Sequence, residues 1–229
     1  MELTEISDRI DIKLNTFEVP IEVDEYEKSI YLTRAQKLVY KELCDIFEVN
    51  GIISNYLQPF ILEYTTPYPI QEVIRQGTIV NSRYILVATN IYRTVLEKVI
   101  LSSSDLKYNN RSVKVIKTRL GEIPYKLDNP FRQPNNKEVL RVTADNNNDP
   151  LYTYEIIIPD NTEILQYSCK YLKDIEPIIL ENLDSTLSIE GVSIATNTLF
   201  SDEVLEKIID IAVMSILQDK TVFNQSKNV

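Results

Sequence analysis

The chain has 229 residues, of which 44 % are hydrophobic and 25 % charged, a balance that supports a folded domain with a sizeable core and excludes wholesale disorder. Its 34 acidic side chains outnumber 24 basic ones, so the net charge is −10 and the mean field repels phosphate, which argues against general nucleic-acid binding. Histidine is absent and only four glycines occur, which removes imidazole-based nucleophile activation, His metal ligation, P-loops and dinucleotide-binding turns.

No apolar run approaches membrane-spanning length, and the opening MELTEISDRIDIK lacks the character of a signal peptide, so a cytosolic product with no membrane association is expected. Cys44 and Cys169 form no CxxC pair and read as small buried thiols in a reducing compartment; a single bridge between them is the alternative. Carboxylate pairs such as Asp24–Glu25 and Asp202–Glu203 fall at expected loops or helix starts, and no Glu-x-Lys occurs, so no catalytic, cofactor-binding or metal-ligating residue is assigned.

In chain order, residues 1–27 show no sustained periodicity and are interrupted by Pro20, which suggests an extended acidic arm that gains its order on a neighbouring chain. Lys28–Leu32 could form a short strand. Thr33 and Gln36 have the spacing of a capping box, and Ala35, Leu38, Val39, Leu43, Ile46 and Phe47 then recur as one apolar face of a helix over about 33–48, closed by Asn50-Gly51. Ile52–Leu57 reads as helix despite Pro59. From Thr78 to Leu180 the chain is rich in Val, Ile, Thr and Tyr and punctuated by Asn, Asp and Ser, the texture of a β-meander, with IYRTVLEKVIL open to a helical reading as well. In QYSCKYLK, Tyr167, Cys169 and Tyr171 share one face and Gln166, Ser168 and Lys170 the other, so the first set is expected in the core. The charged break Lys173–Pro177 ends that strand, and Ile178–Leu180 resumes beneath a helix or against a neighbouring subunit. Ser201 starts a helix over 202–218 in which Val204, Ile208, Ile211, Ala212 and Ser215 form one stripe, widened by Leu205, Ile209 and Ile216. The expected fold class is α+β, with a helical lobe from the N- and C-terminal helices and a central antiparallel β lobe. Residues 28–218 are expected to form one domain and 219–229 a flexible tail.

Two strings go beyond secondary structure. Asp128-Asn129-Pro130-Phe131-Arg132-Gln133-Pro134 precedes VLRV at 139–142, and YSCKYLKDIEPIILENL at 167–183 precedes SIEG and the final helix. Together they resemble a virion protein of the crAss-like tailed bacteriophages, of the kind that forms rings in the neck. In that family an NPFRxP segment precedes a strand, a Y-x-x-R-Y-x-K-x-P strand leads to L-x-x-L-S-I-x-G, and a helix like EILDRAVELA follows. VLEKIIDIAVMSI at 204–216 and YLTRAQKLVYKEL at 31–43 are similar to the family's last and first helices, so the resemblance spans most of the chain. Lys170 departs from the expected arginine, and Asp174-Ile175-Glu176-Pro177 replaces a basic run.

The resemblance implies a non-enzymatic virion subunit without cofactor, repeated in a ring between portal and tail around the DNA channel and assembled in the bacterial host cytoplasm. It implies twelve copies, contacts with the portal and other neck or tail proteins, and DNA passing without specific binding. Asn129, Pro130, Phe131, Arg132 and Pro134 form either an ordinary two-proline loop or a subunit interface in which the prolines hold Phe131 and Arg132 outward. Two alternatives from other classes are a soluble phage adaptor binding a host protein through an exposed strand and a carboxylate-based metal-dependent hydrolase.

Overall fold

The computed structural model describes residues 1–17, 22–50, 55–66, 74–86, 90–144, 153–184 and 186–226. Pro20, Gly51, the 52–54 part of the helix expected before Pro59, Leu151, Tyr152 and the last three residues lie outside them. Among the described residues there are four α-helices, α1 (Leu3–Asn15), α2 (Glu25–Asn50), α3 (Ile123–Leu127) and α4 (Asp202–Ser226). Eight strands accompany them: β1 (Ile61–Thr65), β2 (Ile74–Gln76), β3 (Ser82–Leu86), β4 (Ile91–Ser103), β5 (Arg111–Lys117), β6 (Glu138–Ala144), β7 (Thr153–Ile157) and β8 (Thr162–Lys173). The chain divides into two compact units, Met1–Phe60 with Ile175–Val229, and Ile61–Asp174. The fold class is α+β, with the long helices from the two ends of the chain in the first unit and the sheet in the second.

The helical unit corrects the reading of residues 1–27 as an extended arm. Ile6, Ile10 and Leu14 recur every fourth residue on α1 and are fully buried, with Glu5 in the first turn and Lys13 in the last, each favoured by the helix dipole. Polar residues between them hide this short stripe in the sequence. Arg9 pairs with Glu206 of α4, and Lys13 Nζ lies 3.0 Å from Glu206 and 2.5 Å from Asp210. Lys28, 2 % exposed, donates to Ser7, Asp11 and Glu25 at 2.9, 2.7 and 2.8 Å and so joins α2 to α1. Burial opposes its charge, but the carboxylates of Asp11 and Glu25 prevail and raise its pKa above the ordinary lysine value.

Helix α2 also starts earlier than the spacing of Thr33 and Gln36 suggests. Asp24 is the cap, its Oδ1 accepting the Glu27 N–H at 2.7 Å, so Lys28–Leu32 is helical rather than a strand. Thr33 and Gln36 are buried mid-helix, on the same side as Leu32, Ala35, Val39, Tyr40 and Cys44; Leu38 and Ile46, expected on that face, are exposed. The hydroxyls of Ser29 and Thr33, one turn apart, accept the Leu180 and Ile178 N–H groups at 3.0 and 3.2 Å. Ile178, Ile179 and Leu180 are all buried, which settles the segment after the charged break as lying along a helix of its own chain.

The stripe on α4 holds: Val204, Leu205, Ile208, Ile209, Ala212, Val213 and Ile216 are buried, although Ile211 and Ser215 are only half-buried. The helix continues through 219–226, where a loose tail was expected. Residues 55–60 form a 3₁₀ turn containing Pro59, and its Phe60 ring lies 5.2 Å from Tyr40 and 4.7 Å from Phe200, an aromatic trio that fixes the start of α4 on α2.

In the β unit the strands form one sheet in the order β1-β8-β4-β5-β6-β7-β3-β2. Pairings are antiparallel apart from β5 with β6, which run parallel because the 118–137 excursion carrying α3 intervenes between them. The sheet is therefore not a simple meander, and β8 returns to lie between β1 and β4. IYRTVLEKVIL belongs to β4, whose pairing with β8 shifts register between Ile91 and Arg93, Thr94 and Leu96, and Ile100 and Leu101. The first two place an extra residue on β4, Tyr92 and Val95, and break its two-residue alternation, which is why the stretch also resembles a helix in sequence; the third places the extra residue, Leu165, on β8. Tyr167, Cys169 and Tyr171 are buried, as their alternation predicts. The turns use asparagine where glycine is scarce: Asn81, Asn110 and Asn161 adopt φ of 57°, 52° and 54°.

Candidate assembly interface

The loop after α3 is held from both ends. Asn129 Oδ1 accepts the Phe131 N–H at 3.0 Å, the Asn129 carbonyl accepts those of Arg132 and Gln133 at 2.9 and 3.1 Å, and the Gln133 amide donates back to the Leu127 carbonyl. On the far side Asn135 Oδ1 accepts the N–H groups of Lys137 and Glu138 at 2.9 and 3.2 Å and leads into β6. Local side-chain bonds of this kind fix a turn without a surrounding core. Phe131 stands 93 % exposed at the tip, and Arg132 beside it is exposed and forms no ion pair with the described residues. The five predicted residues are thus brought together, with Asn129 and Pro134 half-buried at the base and Pro130, Phe131 and Arg132 outward. Asparagine chemistry, rather than the prolines alone, presents the pair.

Pro134 and Gln133 also border a cleft of ≈ 360 Å³ that includes Val80, Tyr108, Pro159 and Asp160. Val80 is 75 % exposed and Tyr125, on α3, 78 %.

Two polar clusters escaped the sequence reading. Inside the β unit, Arg141 Nε donates to Glu97 Oε2 at 2.8 Å, Tyr167 donates its hydroxyl to Glu97 Oε1 at 3.2 Å, and the guanidinium lies 3.9 Å from the Tyr154 ring centre. Arg141 and Glu97 are 2 % and 5 % exposed. Burial raises the Glu97 carboxyl above its ordinary value, more than Arg141 and Tyr167 draw it down. Burial likewise raises the Tyr167 hydroxyl, and it pushes the Cys169 thiol up to about 12. Cys44 and Cys169 are buried and neither forms a disulfide, which removes the disulfide alternative. A charge at an inward strand position, Glu97 two before Val99 and Arg141 two after Val139, was the signal available in the sequence.

The second cluster centres on Glu155. Its Oε1 accepts the Thr78 and Ile79 N–H groups at 2.7 and 2.8 Å and the Ser82 hydroxyl at 2.6 Å, closing the β2–β3 connection. Gly77 is required there, because a Cβ would lie 2.0 Å from Ser82 Oγ and 2.5 Å from that carboxylate. Among the described residues, no buried side-chain polar atom of either cluster is left without a hydrogen-bond partner. Among the described residues no group of three or more Cys, Asp and Glu side chains is placed to hold a metal ion, and no helix is long and apolar enough to cross a membrane.

The family model described as phage tail ring protein 3/4 matches residues 1–228. The chain belongs to that family. Relatives of the phage tail ring proteins include Ring protein 3 of Bacteroides phage crAss001, 28 % identical over 93 % of this chain and 96 % of the relative. Ring protein 4/5 of the same phage is 22 % identical over 93 % of this chain and 92 % of the relative. The crAss-like resemblance carried by the DNPFRQP loop, the 167–183 string and the two long helices is therefore correct, and these tail ring proteins align with nearly the whole chain, both units included.

Proposed function

We propose that the protein is a non-enzymatic structural subunit of the virion, repeated as a ring in the neck between portal and tail and surrounding the DNA channel. Membership of the tail ring family over residues 1–228 carries this reading. The ring is built of copies of the chain, twelve by family resemblance, and adjoins the portal and neighbouring neck or tail proteins. The subunits assemble in the host cytoplasm. The Asn129–Pro134 loop supports the proposal by offering an aromatic and a guanidinium, residue types that dominate contact energies, on a turn whose entropy is already reduced. A net charge of −10 favours DNA passing the channel without adhering, since few counterions would be released on contact.

Electron cryo-microscopy of purified particles tests the reading. The chain is expected as a closed ring at the head–tail junction; its location elsewhere in the particle, or absence from the particle, would overturn the assignment.

A further inference from the structure

A ring closed by one repeating contact needs two different complementary patches on each subunit, because head-to-tail joining places one surface against another. The Phe131–Arg132 tip is one such patch. It cannot be its own partner, since apposing two tips would bring unpaired guanidiniums together. The receiving patch must combine an apolar recess with unengaged carboxylates.

The cleft beside the tip in the β unit does not meet this requirement, as Asp160, its carboxylate, already accepts a bond from the Asn81 amide. A second cleft, of ≈ 200 Å³, lies in the helical unit, between α1 and the segment that follows Leu180. Its apolar part is Leu3 and Leu180, and its rim carries Asp8, Glu25 and Glu181. Glu25 is engaged by Ser7 at 2.7 Å and Lys28 at 2.8 Å. Asp8 and Glu181 are exposed and form no ion pair among the described residues. The cleft is below the roughly 300–1,000 Å³ of small-molecule sites, a size suited to one side chain.

We infer that the Leu3–Leu180 cleft of one subunit receives Phe131 of a second copy of this chain, with Arg132 pairing to Asp8 and Glu181 on the rim. The inference rests on the ring-subunit reading and adds to it the two halves of the repeating contact. The unpaired charges on the two sides are complementary, and an arginine between two carboxylates fixes register as well as adding attraction. The rest of the interface then excludes water around an aromatic anchor.

Cross-linking in assembled particles tests it. Thr4 lines the cleft and is exposed, Pro130 is exposed beside the anchor, and Cys44 and Cys169 are buried, so Pro130→Cys combined with Thr4→Cys keeps Phe131 and provides a selective disulfide pair. Under oxidation the double variant should give a ladder of dimers, trimers and higher species on a non-reducing gel, and each single variant should not. Arg132→Glu should reduce incorporation by about tenfold or more, and Asp8→Arg with Glu181→Arg in the same chain should restore it. A ring visible by microscopy without the ladder, or a charge exchange that fails to rescue, overturns the inference and leaves the ring reading intact. Absence of both ring and ladder overturns both, and a cross-link confined to single chains overturns the inference.

Discussion

The α1–α4 edge of the helical unit and the core of the β unit place their charges in opposite ways. On the helical side, α1 buries Ile6, Ile10 and Leu14 and sets Arg9 and Lys13 at the edge of that stripe, where they meet Glu206 and Asp210 in partial contact with water. On the β side the pair Glu97–Arg141 is inside the core, on the face that carries Val99, Val139 and Tyr167. Edge pairs add little and are screened by salt. A buried pair loses most of its attraction to desolvation, yet each partner is costly to strand. These two sites should therefore respond differently to the removal of one charge.

The largest effect is expected at Glu97 and Arg141. Replacing Arg141 by Met alone strands a carboxylate and should destabilise the protein by about 3–5 kcal/mol, whereas Arg141→Met with Glu97→Leu should recover most of that loss. The pH dependence sharpens the contrast. The folded pKa of Glu97 lies above its unfolded value, so the folded state binds the proton more readily. This group's stabilisation is complete below the unfolded pKa, near 4.5, and is lost as pH rises through the folded pKa. The double variant lacks that loss, so its stability relative to the parent should improve as the pH rises above about 4.5, as measured by denaturant unfolding. An improvement on lowering the pH instead would contradict the assignment.

Ile10→Ala probes the helical unit where burial, not charge, carries the stability. Ile10 is 0 % exposed, and the change should cost about 2–5 kcal/mol. Chemical denaturation with no shift in midpoint would return α1 to the role of a detachable arm. Gly77→Ala should cost less, about 1–3 kcal/mol, because Ser82 and Glu155 must give way to a Cβ in an otherwise well-bonded turn. Ser82→Ala in the same chain should relieve part of it in thermal melts. Lys13→Ala, at the solvated α1–α4 edge, should cost only about 0.2–1 kcal/mol, and raising the salt should shrink even that.

Legibility in the sequence followed how strictly each element kept its period. Helix α4 repeats its apolar positions without interruption, and β8 keeps a two-residue alternation over Tyr167, Cys169 and Tyr171, the part of it that was readable. Helix α1 carries only three apolar residues on its buried face and was missed, and bulges disguised β4. The start of α2 was misplaced because Thr33 imitates a cap while binding the backbone of Ile178. That contact joins residues remote in sequence, which no local pattern records. The candidate loop was visible through its prolines, aromatic and arginine, but the role of Asn129 in holding it and the acidic cleft formed by Asp8, Glu25 and Glu181 depend on the folded chain.

Stability comes from the buried sets of the two units, while the role proposed for Phe131 and Arg132 is assembly. Competition between the parent chain and a Phe131→Ala, Arg132→Ala variant, co-expressed and quantified in purified particles by mass spectrometry, tests it most directly. Phe131 is 93 % exposed, so the variant should accumulate as folded protein with an unchanged melting temperature and yet be strongly depleted from particles. Equal representation of parent and variant in the particles would contradict the claim.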